Sequence, residues 1–324
     1  MCSVWQSAPC NLCLVSSRTR KTLKALGATA GALTGVGAGC LTYAALYEVN
    51  DFRLRRIAVR VLPPGADPIR ALHISDLHMV PAARARQRWL SGLADLKPDL
   101  VINTGDNLAH RDAVPYVVAS LGELLGLPGV YVWGSNDYYA PSFKNPLKYF
   151  TRNRRPDVEQ KPRLPWRDLD HEFKQAGWID LTHTRETLMI NGVRLGFRGT
   201  DDAHLEQDHY ASVAGPVDGT DCDVTIGVTH SPYRRVLDGM TGDGLDLIMA
   251  GHTHGGQVCV PGYGAVVTNC DLDRRRAKGL SRYGTAGRET WLHVSAGLGT
   301  SPYAPIRFAC RPEATLLALT PRDR

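Results

Sequence analysis

Five short apolar runs stand out along the chain: Ala71-Leu72-His73-Ile74, Leu100-Val101-Ile102, Val130-Tyr131-Val132-Trp133, Val224-Thr225-Ile226-Gly227-Val228 and Leu247-Ile248-Met249-Ala250. Short runs rich in Val, Ile and Leu and bounded by turn formers predict buried strands. Each is closed by a polar cluster: Asp76-Leu77-His78, Gly105-Asp106-Asn107, Gly134-Ser135-Asn136-Asp137, Thr229-His230 and Gly251-His252-Thr253-His254. Asp76, Asp106 and Asn136 follow one another at intervals of 30 residues, about one strand-helix-strand repeat. In open α/β sheets, sites assemble at the carboxyl ends of strands, so the pattern predicts that distant segments converge on one pocket.

Those clusters offer seven oxygen or nitrogen ligands, Asp76, His78, Asp106, Asn136, His230, His252 and His254. Carboxylate, carboxamide and imidazole without cysteine suit borderline divalent ions such as Mn, Fe, Co or Zn. A carboxylate can bridge two such ions about 3.5–4 Å apart, clamping the attacking and leaving oxygens of a phosphoryl centre. Phosphoester hydrolysis is the chemistry this predicts. Taken singly, each cluster also reads as a turn or a helix N-cap, and His230 before Ser231-Pro232 as a loop histidine. The alternating histidines of Gly251-His252-Thr253-His254 speak more strongly, because alternate residues of an extended segment project to one side.

The order D-x-H, G-D-x, G-x-N-[HD], x-H, G-H-x-H resembles the calcineurin-like metallophosphoesterase superfamily over roughly residues 56–320. Gly251 to Gln257, Ser295-Ala296-Gly297-Leu298-Gly299 and Pro305-Ile306-Arg307-Phe308 look most like its membrane-associated bacterial branch, some relatives of which cleave lipid-linked or nucleotide-sugar phosphates. The resemblance implies an α/β fold, a four-layer αββα sandwich. It implies a first metal on Asp76, His78 and His254, a second on Asn136, His230 and His252, and Asp106 bridging. A bridged water would be the nucleophile, on phosphomonoester, phosphodiester or pyrophosphate bonds.

One position departs from that pattern. The family usually carries a histidine after the ligand asparagine, which helps to protonate the leaving oxygen; here that place is Asp137. An Asp of ordinary pKa, about 3.9, is ionised at neutral pH and a poor acid, so Asp137 either has a raised pKa or orients a ligand from behind. Asp137 and His230 are the expected catalytic residues. The departure favours substrates with good leaving groups, such as a pyrophosphate or an activated diester. A membrane-tethered sensing protein with little turnover and a nuclease are the alternatives.

The first 50 residues read differently. A basic tail, 1–24, precedes 23 uncharged residues, Ala25 to Tyr47, just long enough to span a bilayer as a helix, and the enzyme domain follows over 48–324. A single-pass anchor with the domain on the outer face of the cell membrane is the expectation. It rests on the basic residues preceding the segment, although Arg53, Arg55, Arg56 and Arg60 follow it closely. Gly27, Gly31, Gly35 and Gly39 recur at every fourth position, a small-residue stripe that permits self-association, or simply a Gly-rich composition.

Composition adds little: 43% hydrophobic and 22% charged residues are ordinary for a globular chain. The net charge of +6 favours anionic partners, here a phosphorylated substrate and a membrane surface. Lys144, Lys148, Arg152, Arg154, Arg155, Lys161 and Arg163 concentrate that charge in an insertion beside the third cluster, a substrate flap, a lipid-facing surface or a solvated loop. Too few aromatic residues accompany them for a base-stacking platform, so nucleic acid is disfavoured. Cys222, Cys259, Cys270 and Cys310 in the domain fit two disulfides or free thiols. There is no Gly-x-Ser-x-Gly elbow and no phosphate-binding Gly-x-x-x-x-Gly-Lys loop.

Overall fold

The computed structural model describes residues 17–143, 158, 160–217, 222–285 and 287–323. The chain divides into two compact units, Met1–Tyr43 and Ala44–Arg324. In the first, helix α1 spans Ser17–Thr42. Among the described residues no helix is long and apolar enough to cross a membrane. The transmembrane helix expected over 25–47 is therefore not supported. Gly, Ala and Thr dilute the few Leu and Val of the segment below what a bilayer core requires. Its far end also belongs to the second unit, where Ala44 is buried, its carbonyl accepts a bond from Arg307 N at 3.1 Å, and the buried Glu48 carboxylate accepts from Ala309 N and Cys310 N. Most of the basic insertion, 144–157, lies outside the described residues.

The second unit is built on β1 (Arg53–Leu62), β2 (Ile69–Ile74), β3 (Leu100–Asn103), β4 (Gly129–Tyr131), β5 (Ile179–Asp180), β6 (Arg185–Ile190), β7 (Val193–Gly199), β8 (Val224–Val228), β9 (Leu247–Ala250), the small β10 (Cys259–Val260) and β11 (Gly264–Ala265), β12 (Gly279–Thr285), β13 (Arg288–Val294) and β14 (Glu313–Pro321). Between them run α2 (Arg84–Ser91), α3 (Val114–Leu121), α4 (Ser135–Tyr138), α5 (Trp166–Gln175) and α6 (Arg234–Asp243). One six-stranded sheet has the order β1-β14-β2-β3-β4-β5, the other β12-β13-β9-β8-β7-β6. In the first, β2, β3, β4 and β5 are parallel, and in the second β13, β9, β8 and β7 are parallel. Parallel strands of one sheet leave all their carboxyl ends on one edge, which is where a site can gather.

The side chains explain the layering. Strands β3, β8 and β9 are buried at every position, as strands covered on both faces must be. Alternate residues of the two sheets, Ile69, Ala71, Leu100, Ile102 and Val130 from one and Leu195, Phe197, Ile226, Val228 and Met249 from the other, form one core cluster, so the sheets pack face to face. Leu72, Ile74, Val101 and Tyr131 point to the opposite face and meet Leu90 of α2, Val117 and Leu121 of α3, and Leu169 and Phe173 of α5. Ile248, Leu292 and Val294 meet Val236, Leu237 and Met240 of α6 on the outer face of the second sheet. The result is a helix-sheet-sheet-helix sandwich.

One polar pair interrupts the central core. His73 of β2 and His293 of β13 are fully buried, with their Nδ1 atoms 2.9 Å apart, so one ring donates and the other accepts across the two sheets. His73 Nε2 reaches Thr104 Oγ1 at 2.9 Å, just beyond the end of β3.

Candidate metal centre

Each predicted ligand sits one to a few residues beyond a strand, where the chain must turn sharply to stay over the edge of the sheet. Asp76, His78, Asp106, His252 and His254 all take positive φ, between 40° and 67°. Non-glycine residues rarely adopt that region, and strain of this kind collects at functional sites. The turns are so tight that glycines flank them. A Cβ on Gly134 would overlap Asp106 Oδ1 and lie 2.7 Å from the His230 ring. At Gly297, φ is 69° and a Cβ would stand 2.5 Å from the Asp76 Cβ.

These turns bring the ligands together. Asp76, His78 and His254 each place a ligand atom within 4.8 Å of the others, and so do Asp76, Asp106 and His230. Asp106 Oδ2 lies 3.5 Å from His78 Nε2 and 3.4 Å from His230 Nε2, between the two groups. The amide of Asn136 donates from Nδ2 to the same oxygen at 2.7 Å. His252 is edge-on to His230, with ring centroids 5.2 Å apart, and its backbone N–H donates to Asp76 Oδ2 at 3.0 Å. All seven predicted ligands thus share one neighbourhood; His252 and Asn136 lie on the Asp106–His230 side.

Backbone carbonyls fix the imidazoles. His230 Nδ1 donates to Thr104 O at 2.6 Å and His254 Nδ1 to Gly299 O at 3.1 Å, which turns each Nε2 towards the carboxylates. His252 Nε2 donates to Asn269 O at 3.2 Å, freeing its Nδ1. Such bonds set the tautomer of a metal-ligating histidine. Among the described residues, Nδ1 of His78 is buried with no hydrogen-bond partner, and the buried His230 Nε2 has only the Asp106 carboxylate, 3.4 Å away, before it.

Charge makes the same point. Asp76 and Asp106 are buried together, and carboxylates in that situation need cations. Burial pushes the Asp76 carboxyl up to about 6, against the pull of His230. Burial would raise Asp106 too, but His230, His78 and Asn136 hold it well below the usual range. Burial lowers His78 to about 4 and holds His252 and His254 well below the ordinary value, so these imidazoles are neutral and present lone pairs near neutral pH. His230 goes the other way: burial lowers it, but Asp106, Asp202 and Asp76 outweigh that and raise it. A nitrogen and oxygen donor set with buried carboxylates fits divalent cations, which would take the place of the proton His230 holds towards Asp106.

Asp137 is fully buried and spent on the backbone. Its Oδ2 accepts from Asp106 N at 2.7 Å and Gly134 N at 3.0 Å, and its Oδ1 from Asn107 N at 2.7 Å and Leu108 N at 3.2 Å. Burial and the neighbouring Asp106 push the carboxyl up to about 7, while the amide donors favour the ionised form. With both oxygens occupied by N–H groups, Asp137 locks the loop that carries Asp106 to the one that carries Asn136.

Two parts of the centre escaped the sequence reading. A sixth cluster, Thr200 to His204, closes β7: the His204 ring lies 4.7 Å from that of His252, and Asp202 accepts from Ser231 Oγ at 2.5 Å, beside His230. Its strand was hidden because Arg194 and Arg198 break the apolar run, one pairing with Asp223 and the other with Asp243. The second is the part played by Arg307, which the sequence shows only as a member of a motif: its fully buried guanidinium donates from Nη2 to the carbonyls of Ala296, Gly297 and Gly299 at 2.7, 3.1 and 2.8 Å. It clasps the loop that packs on Asp76 and receives the His254 bond.

Residues 69–256 match the calcineurin-like phosphoesterase family. Phosphodiesterase YaeI of Escherichia coli (strain K12) is 26% identical over 309 residues, 93% of this chain and 98% of that protein. YpbG of Bacillus subtilis (strain 168) is 27% identical over 259 residues, 79% of this chain and 82% of its own. Among solved structures, a 5'-nucleotidase precursor from Thermus thermophilus is similar at a TM-score of 0.43, with 11% identity over 78% of this chain and 55% of that one.

Proposed function

This chain belongs to the calcineurin-like phosphoesterase family, and from that premise we propose that it hydrolyses phosphodiester or pyrophosphate bonds at a dinuclear centre. That it is a hydrolase of phosphate esters follows from the family; the two-metal site and the bond preference are the proposal. The observation that carries it is Asp106 Oδ2, placed within 3.5 Å of a histidine nitrogen from each of two ligand groups. The family uses divalent metals, and Mn, Fe, Zn or Co suits these donors. When bound, such ions lower the pKa of a coordinated water and polarise the phosphoryl oxygens.

The chain's own residues supply orientation. Asp76, His78 and His254 hold one side and Asn136, His230 and His252 the other, with Asp106 between them. The carbonyls of Thr104, Gly299 and Asn269 keep the imidazole lone pairs turned inwards. Asp137 is fully buried with both oxygens turned to four backbone N–H groups, so it does not face a leaving oxygen and the burden falls on the leaving group itself. That favours activated diesters and pyrophosphates over simple alkyl monoesters, lipid-linked or nucleotide-sugar phosphates among them. The relative named a phosphodiesterase points the same way.

A leaving-group series tests this. With Mn present, aryl phosphodiesters and nucleotide pyrophosphates are expected to be hydrolysed at least about 10-fold faster than alkyl monoesters, a difference of about 1.4 kcal/mol in barrier. Equal or faster hydrolysis of the alkyl monoester overturns the assigned preference.

A further inference from the structure

Two free cysteines, Cys259 in β10 and Cys310 just before β14, meet at the turn that carries His254. We propose that they are a reversible oxidation site, a dithiol that closes to a disulfide and thereby weakens the hold of that turn on its metal. The inference rests on the metal-centre reading above and names a regulation of that site.

The backbone fixes the pair from both sides. Phe308 N donates to Gln257 O at 3.1 Å and Cys259 N to Phe308 O at 2.8 Å, so the two segments run side by side as a parallel bridge. Ala309 then takes φ 50°, and the Glu48 carboxylate accepts from Ala309 N and Cys310 N at 3.0 and 2.6 Å. The Cys259 and Cys310 sulfurs lie 3.3 and 3.4 Å from one atom, the carbonyl oxygen of Gly255, and hydrogen-bond to each other. Of the three pairings open to the four domain cysteines, this geometry selects the one that joins Cys259 to Cys310.

The pair is tied to a metal ligand. Cys310 Sγ also lies 3.3 Å from His254 O, and a Cβ on Gly255 would stand 2.8 Å from it, so the sulfur packs closely against the turn at which His254 and Gly255 take φ 49° and 63°. A disulfide is about 2.05 Å long and carries no proton, so closing it draws the sulfurs together and removes the S–H donors that face the carbonyls of His254 and Gly255. A buried acceptor stripped of its donor costs free energy, and here the cost falls on the turn that holds a ligand. Access runs through β10 and β11. Val260 and Tyr263 are 49% and 62% exposed, and a two-stranded ribbon is marginally stable on its own, so it opens more readily than the sandwich. The co-reactant is an external disulfide such as oxidised glutathione. One cysteine sulfur attacks it and expels one thiol, and the second attacks the mixed disulfide and expels the other. Two S–H bonds are lost, one S–S bond forms within the chain, and the two protons leave on the two external thiols.

The full chain is incubated with oxidised or reduced glutathione, freed of it, and titrated calorimetrically with manganese, an ion that thiols bind poorly. Peptide mapping after denaturation and alkylation is expected to show Cys259 joined to Cys310 in the oxidised sample, with manganese affinity at least about 5-fold weaker and restored by dithiothreitol. Cys259→Ser keeps a hydroxyl donor for Gly255 O, so it should bind manganese within about 2-fold of the reduced chain and ignore oxidised glutathione. Both cysteines still open to alkylation after oxidised glutathione, a disulfide that leaves manganese affinity unchanged, or a Cys259→Ser chain that loses affinity as the unsubstituted chain does, overturns the proposal. A reduced chain that binds no manganese removes the two-metal reading and the switch together. A chain that binds manganese and responds as expected, yet turns over no phosphoester, removes the hydrolase reading alone.

Discussion

Asp137 shows how one side chain at the site can be read from its bonds. Its four backbone donors, from Gly134, Asp106, Asn107 and Leu108, demand an acceptor on both oxygens. Asp137→Asn puts an amide NH2 against N–H groups, at a cost of about 1–3 kcal/mol. The expected result is a lower melting temperature and weaker metal binding, with the ratio of rates on good and poor leaving groups unchanged. A ratio that shifts towards good leaving groups, at unchanged stability, would show that Asp137 delivers a proton after all.

At the scale of elements, the site depends on turns that follow strands without a residue to spare. Gly134→Ala would drive a methyl group into Asp106 Oδ1 and the His230 ring, so it should lower metal affinity steeply while circular dichroism stays near normal. Metal affinity equal to that of the unsubstituted chain would mean the loop has slack the geometry denies. The same turns account for what the sequence disclosed. Strands β2, β3, β4, β8 and β9 are short, apolar and end at ligand types, so pattern and chemistry coincide. Strand β7 stayed hidden because its two arginines are satisfied by Asp223 and Asp243, which only folding brings near. Arg307 was visible in a motif, but its grip on three carbonyls is a tertiary fact. The pairing of β1 with β14, and of β14 with β2, likewise joins opposite ends of the domain, beyond any local pattern. The segment expected to span a membrane is long enough and uncharged, but rich in Gly, Ala and Thr, and among the described residues no helix is apolar enough to cross a bilayer.

For the molecule as a whole, the buried His73–His293 pair couples the two sheets to pH. Burial lowers His73 well below the ordinary value and His293 to about 4. Between pH 6.5 and about 4 the unfolded chain binds protons that the folded one refuses, so stability falls as pH falls, by up to about 1.4 kcal/mol per pH unit for each histidine. Replacing both with Phe and Leu should flatten that slope in denaturant titrations of metal-free protein, and an unchanged slope would assign it elsewhere. The central claim, that the strand ends assemble a two-metal phosphoesterase, is tested most directly by one comparison. Metal content and hydrolysis of an aryl phosphodiester are measured for the unsubstituted chain, the metal-stripped chain and Asp106→Asn. The account predicts two divalent ions per chain, turnover restored only on adding metal, and loss of turnover with the fold intact in Asp106→Asn; near-normal turnover in either the stripped chain or the variant would contradict it.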